Sequence, residues 1–127
     1  MVTLTDLGRE QYISLETFRK NGQGVKTPVW VVAEGDKLYI WTQRDSWKVK
    51  RIRSNSQVRL AKSDQRGNTS GEWVSAQARV LDTPEERARM RQRLTKKYGL
   101  LARMFLLMGR LRGNNEGQVV VQIEGAH

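Results

Sequence analysis

The residues best placed to do chemistry lie between Thr42 and Arg53. A strand-like run ends at Trp41-Thr42, Asp45 or Ser46 can cap a helix, and Lys48, Lys50 and Arg51 fall in that helix's first turns. A helix start presents free N–H groups and the positive end of the dipole, so it attracts anions and repels cations. Three cations there run against the local preference, and a bound anion such as phosphate would offset the conflict. Val49 and Ile52 share one side of the helix, while Lys48 and Arg51 share a neighbouring one. Trp41 and Trp47 flank the segment. Their rings could cover an aromatic ring system or stack nucleobases beside phosphate-binding arginines. A merely solvated basic helix is the plain alternative.

Pro28 is the second unusual residue. It sits inside the strand-like run Val25 to Ala33, where a proline cannot donate to a ladder. That side is therefore an edge or an opening, whose backbone could face a ligand or simply resist aggregation.

Much other chemistry is excluded. The chain has no cysteine and one histidine, His127, which removes thiol catalysis, cysteine-held metals and a multi-histidine metal site. No Walker motif, GxGxxG or paired-carboxylate pattern occurs. No side chain is read as catalytic and no metal site is expected.

The net charge of +10 is concentrated. Arg44 to Arg66 carries eight basic residues and two acids, and Arg87 to Arg112 carries nine basic residues and no acid. Such a surface suits an anionic partner: a phosphorylated cofactor, nucleic acid or a membrane surface. The arginines at 87, 89, 91 and 93 are spaced by two, so they wrap around a helix and argue against a DNA-recognition stripe.

The elements that must position these residues follow from periodicity. The 127 residues suffice for one domain, 1–127, with its own core. A short helix or arm opens the chain. Tyr12 to Phe18, Val25 to Ala33 and Lys37 to Thr42 read as three strands joined by tight turns, with Leu38 and Ile40 opposed to Tyr39 and Trp41. Val29-Trp30-Val31-Val32 suits a strand buried on both faces. After the basic helix, Gln57 to Lys62 and Glu72 to Leu81 are strands. Thr83-Pro84-Glu85-Glu86 opens a helix through a capping box, Met90, Leu94 and Tyr98 form its apolar side, and Gly99 stops it. Leu101, Met104, Phe105, Met108 and Leu111 form an apolar stripe on a further helix, expected to pack on the barrel or on a second copy. Gln118 to Glu124 is a last strand with Val119, Val121 and Ile123 on one face. The order is β-β-β-α-β-β-α-α-β, a mainly β fold of six antiparallel strands closing as a small barrel.

These segments resemble a known family. Tyr12 to Gly22, Val25-Lys-Thr-Pro-Val-Trp30, Leu38-Tyr-Ile-Trp-Thr42, Ser46-Trp-Lys-Val-Lys-Arg-Ile-Arg53 and Arg66-Gly67 resemble the pyridoxamine 5′-phosphate oxidase-like split-barrel family, nearest its deazaflavin-dependent branch. The resemblance implies a six-stranded split β-barrel that forms a homodimer, with FMN or coenzyme F420 in a groove at the interface. It implies that Lys26, Thr27, Pro28 and Val29 line the cofactor ring. Trp41, Thr42, Ser46 and Lys48 would approach the phosphate, with Arg51 as a further ligand. F420, with its phosphate and several carboxylates, suits the +10 charge better than FMN. The expected function is an oxidoreductase that moves hydride to a conjugated small molecule, with cofactor carriage without turnover or nucleic-acid binding as alternatives. Met1 to Gln11 lacks a signal-peptide pattern. Arg103 and Arg110 interrupt Leu100 to Leu111, which falls short of the roughly 20 apolar residues of a membrane span. The expected location is the cytoplasm, with no membrane partner.

Overall fold

The structure, a computed structural model, describes residues 2–101, 103–104 and 117–125. It begins with α1 (Leu4–Leu7), closed by a capping box between Thr3 and Asp6. Next come β1 (Tyr12–Phe18) and β2 (Gly24–Trp30), joined by a turn in which Gly22 takes a positive φ of 88°. β3 (Val32–Glu34), β4 (Lys37–Gln43), α2 (Trp47–Ser54), β5 (Gln57–Ser63) and β6 (Thr69–Leu81) follow. The last elements are α3 (Pro84–Tyr98) and β7 (Gln118–Gly125). Residues 100, 101, 103 and 104 are again helical. Phe105, Met108 and Leu111 of the apolar stripe, the turn at 113–116 and His127 lie outside the described residues.

Seven strands, not six, form one antiparallel sheet in the order β2-β1-β5-β6-β7-β4-β3. The extra strand arises because the run Val25 to Ala33 breaks at Val31. Before the break it pairs with β1, and after it with β4. β2 and β3 are thus the two edges of the sheet, yet a single residue separates them. The sheet must curl until its edges meet, so the chain itself closes the barrel and no ladder does. β3 pairs with β4 only at Lys37, Leu38 and Tyr39. The rest of β4 pairs with β7 on one side and faces β2 on the other across a seam.

The interior core includes Ile13, Leu15, Leu38, Ile40, Leu60, Val121 and Ile123. A second cluster lies outside the barrel wall, where Met90 and Leu94 of α3 cover Val32, Tyr39 and Val120. Val121 and Ile123 of β7 share the inner face as expected, and the strand is buried on its other face too, because α3 covers Val120. One expectation is corrected. Val29 and Trp30 are only partly buried, because β2 is an edge strand. The alternation of β4 is as expected, with Leu38 and Ile40 inward and Tyr39 and Trp41 toward α3. Thr83 caps α3 by accepting the Glu86 N–H at 3.2 Å. Leu101 and Met104 are 51% and 56% exposed. Among the described residues no helix is long and apolar enough to cross a membrane.

Candidate functional site

The seam holds a cleft of about 370 Å³. β2 gives one bank with Pro28, Val29 and Trp30, and β4 gives the other with Trp41 and Thr42. Tyr12 and Leu94 complete the apolar lining, and Lys48 brings a cation in from α2. The tip of the β5–β6 loop approaches the same edge. Gly67 there has a φ of 91°, and a Cβ on it would lie 3.7 Å from the Pro28 ring.

α2 is held so that its basic side is left for the cleft. The Ser46 hydroxyl accepts the Val49 N–H at 3.3 Å, and Val49 and Ile52 are buried in the barrel end. Lys48 and Arg51 then project sideways. Lys48 is half-buried, and burial together with the nearby Arg51 charge holds its ammonium pKa below the usual lysine range. Arg51 is fixed by donating from Nε to Thr17 Oγ1 at 2.7 Å, on a residue that is 1% exposed. Burial and Arg19 lower its pKa.

Arg51 does not line the cleft. It lines a neighbouring cavity of about 410 Å³ with Phe18, Arg19, Lys20, Trp47, Lys50 and Ser54. Four of these seven are basic and none is acidic, so the cavity suits an anion. Lys50 lies 4.6 Å from the centre of the Trp47 ring, whose side chain is largely exposed.

The sequence-predicted residues therefore divide. Pro28, Val29, Trp41, Thr42 and Lys48 meet at the seam. Ser46 acts as the helix cap. Lys26 and Thr27 are not part of the lining: Lys26 sits 4.9 Å from the centre of the Trp73 ring, and Thr27 pairs with Leu15. Both precede the Pro28–Trp30 stretch that lines the cleft and lie farther along β2 from it.

Two residues went unread in the sequence. Lys97 Nζ donates to the carbonyl oxygens of Gly8, Glu10 and Val31 at 2.9, 2.5 and 2.5 Å. The Tyr98 hydroxyl accepts the Val31 N–H at 3.1 Å and lies 2.8 Å from the carbonyl oxygens of Gln11 and Val31. Its ring stacks on Trp30 at 4.4 Å and 10°. Burial raises the Tyr98 pKa to about 12 and lowers that of Lys97. The four-residue spacing of Met90, Leu94 and Tyr98 marked Tyr98 as apolar, and only its hydroxyl could have signalled a polar task.

The sequence matches the profile of pyridoxamine 5′-phosphate oxidase over residues 4–124. The chain belongs to the pyridoxamine 5′-phosphate oxidase family. Among solved structures, the family fold recurs in an F420 reductase at 16% identity and a TM-score of 0.65, covering 100% of this chain and 95% of that one. A conserved hypothetical protein from Mycobacterium tuberculosis aligns at 18% identity and a TM-score of 0.72, over 100% of this chain and 82% of that one. HutZ, the haem storage protein of Vibrio cholerae, aligns at 9% identity and a TM-score of 0.68, over 93% and 83%. At such identities the likeness is one of fold. No curated protein matches the chain by sequence. The residues present do fit a flavin-type cofactor: the cleft has flat aromatic and apolar banks for a ring, and the half-buried Lys48 supplies positive charge at one side.

Proposed function

We propose that this pyridoxamine 5′-phosphate oxidase family member is an oxidoreductase that binds coenzyme F420, in preference to FMN, and passes hydride to a conjugated small molecule. One observation carries the reading: the aromatic cleft at the barrel seam holds Lys48, and Arg51 of the same helix lines a second cavity that is rich in basic residues and free of acids. The bound cofactor supplies the hydride chemistry. Pro28, Val29 and Trp41 would bound the ring and keep water from it. Lys48 would pair with the phosphate. Arg51, Arg19, Lys20 and Lys50 would receive a longer polyanionic tail, which is why F420 fits better than FMN. Lys26, Thr27 and Ser46 would act on the cofactor only through their neighbours.

A homodimer belongs to the same proposal. Trp47, Leu100, Leu101 and Met104 are large apolar side chains that are 70%, 72%, 51% and 56% exposed. A second copy would cover them and give the cleft its missing wall. Sedimentation equilibrium should report a dimer at micromolar concentration, and a monomer there would count against a shared groove.

The decisive test is titration of the protein with oxidised F420 and with FMN, followed by ligand fluorescence. Saturable binding, with F420 the tighter, is expected, and Lys48→Ala should weaken it. Binding of neither cofactor would overturn the proposal and leave nucleic acid as the next anionic partner to assay. Carriage without turnover is separated by the reduced cofactor, which a reductase reoxidises only when an acceptor substrate is present.

A further inference from the structure

Val31 is the corner on which the barrel turns from one edge of its sheet to the other. A residue in that position loses both ladder partners, and an unpaired buried peptide group is costly. Val31 is fully buried. Its N–H is taken by the Tyr98 hydroxyl, and its carbonyl oxygen is met by Lys97 Nζ and the same hydroxyl. The last turn of α3 thus replaces the ladder at the corner, where Val31 has none.

The same turn reaches the neighbours of the corner. Tyr98 stacks on Trp30, which forms part of the β2 bank of the cleft. Lys97 also ties down the Gly8 and Glu10 carbonyls that lead into β1. One turn earlier, Arg93 bonds Glu34 at the end of β3 and lies with its guanidinium 3.8 Å from the centre of the Tyr39 ring. Arg93, Lys97 and Tyr98 thus hold residues on both sides of Val31.

We infer that Lys97 and Tyr98 are positioning residues: by clasping Val31 they set where the Trp30 bank stands, and hence the width of the seam cleft. Their use in cofactor binding rests on the function proposed above, whereas the clasp itself does not. The β2 bank has a ladder on one side only, with β1. Leu94, one turn before Tyr98, lines the cleft directly. α3 thus reaches the cleft both directly, through Leu94, and through the Tyr98–Trp30 stack.

The test is Tyr98→Phe, which keeps the ring on Trp30 and removes the hydroxyl, with Lys97→Met as a second variant that keeps most of the stem. Amide exchange and the indole N–H resonances are read by NMR in the full chain. The Val31 amide should exchange about tenfold faster in Tyr98→Phe, relative to the amide of Leu60 in the interior core of β5. The indole signals of Trp30 and Trp41 should shift while that of Trp73 stays. General destabilisation would raise exchange at Val31 and Leu60 together and would overturn the inference, as would unchanged Trp30 and Trp41 signals. If wild-type protein binds F420 or FMN, Tyr98→Phe should weaken that binding several-fold. If it binds neither, the function proposed above fails, and the exchange and indole signals still decide the clasp.

Discussion

Lys48 stands half-buried at the seam, with Arg51 as its charged neighbour, so it holds its proton less firmly than a free lysine. An anion beside it would restore that hold, which links binding to protonation. The sign is fixed: as pH rises through the depressed pKa, the ammonium is lost and affinity for an anionic cofactor should fall while ordinary lysines remain charged. Titrations from neutral to alkaline pH should show this decline, and Lys48→Arg, charged throughout, should flatten it. At neutral pH Lys48→Ala removes a charge-assisted contact and should cost about 2 kcal/mol, or roughly thirtyfold in affinity. Thr17→Val tests the orientation of Arg51. It keeps the shape of a buried side chain and deletes the acceptor at 2.7 Å. Binding of F420 should weaken several-fold while FMN, which lacks the long tail, is affected less. Equal losses for the two cofactors would remove Arg51 from the tail site.

At the scale of elements, α2 depends on its cap. Ser46→Ala forfeits the bond to the Val49 N–H and should lower stability by about 1 kcal/mol in urea unfolding. Elements of this kind were legible in the sequence because their signals are local. Ser46 before an apolar pair, Thr83-Pro84 before a long helix, and alternation in Leu38 to Trp41 each fix an element within a few residues. What stayed hidden was set by distant partners. Nothing near Val31 announces that the strand changes edges there, because its new bonds come from Lys97 and Tyr98, more than sixty residues on. The burial of Val120 likewise depends on α3 lying across β7. The site divided in the same way. Pro28 and Lys48, singled out by local oddities, a proline in a strand and cations at a helix start, come together in the seam cleft. Arg51 lines a different cavity from Lys48, because its guanidinium is held by Thr17, a partner far away in the sequence.

For the molecule as a whole, one carboxylate organises much of the basic surface. Asp82 accepts from Arg44 at two 2.8 Å bonds and from Arg87 at 2.6 Å, with Arg53 at 4.0 Å. It ties the end of β4, the end of α2 and the start of α3 together. The hydrogen bond from Arg44, with those of Arg87 and both charges, draws its pKa down to about 2. The folded value lies below the unfolded one of 3.8, so its stabilisation is present at neutral pH and fades as pH falls from about 4 to 2. Asp82→Asn should therefore cost about 1 kcal/mol at pH 7, after allowance for solvent screening. The mutant and wild-type stabilities should converge near the acid end of that window, as read by thermal unfolding across pH. A constant difference at every pH would mean the loss is steric.

The order of the strands also dictates a sequence of events in folding. β7 is the only strand joined to both β6 and β4 by ladders among the described residues. Until it arrives, β2-β1-β5-β6 is one sheet and β3-β4 a separate hairpin, with no ladder between them among the described residues. During synthesis the two banks of the cleft are thus made early, yet the ladders that join their two sheets form only once β7 leaves the ribosome. Contacts between such distant parts of a chain form slowly. The exposed edge of β6 waits during that interval as a template for another chain's strand, so the period before β7 docks is when this protein is most open to mispairing.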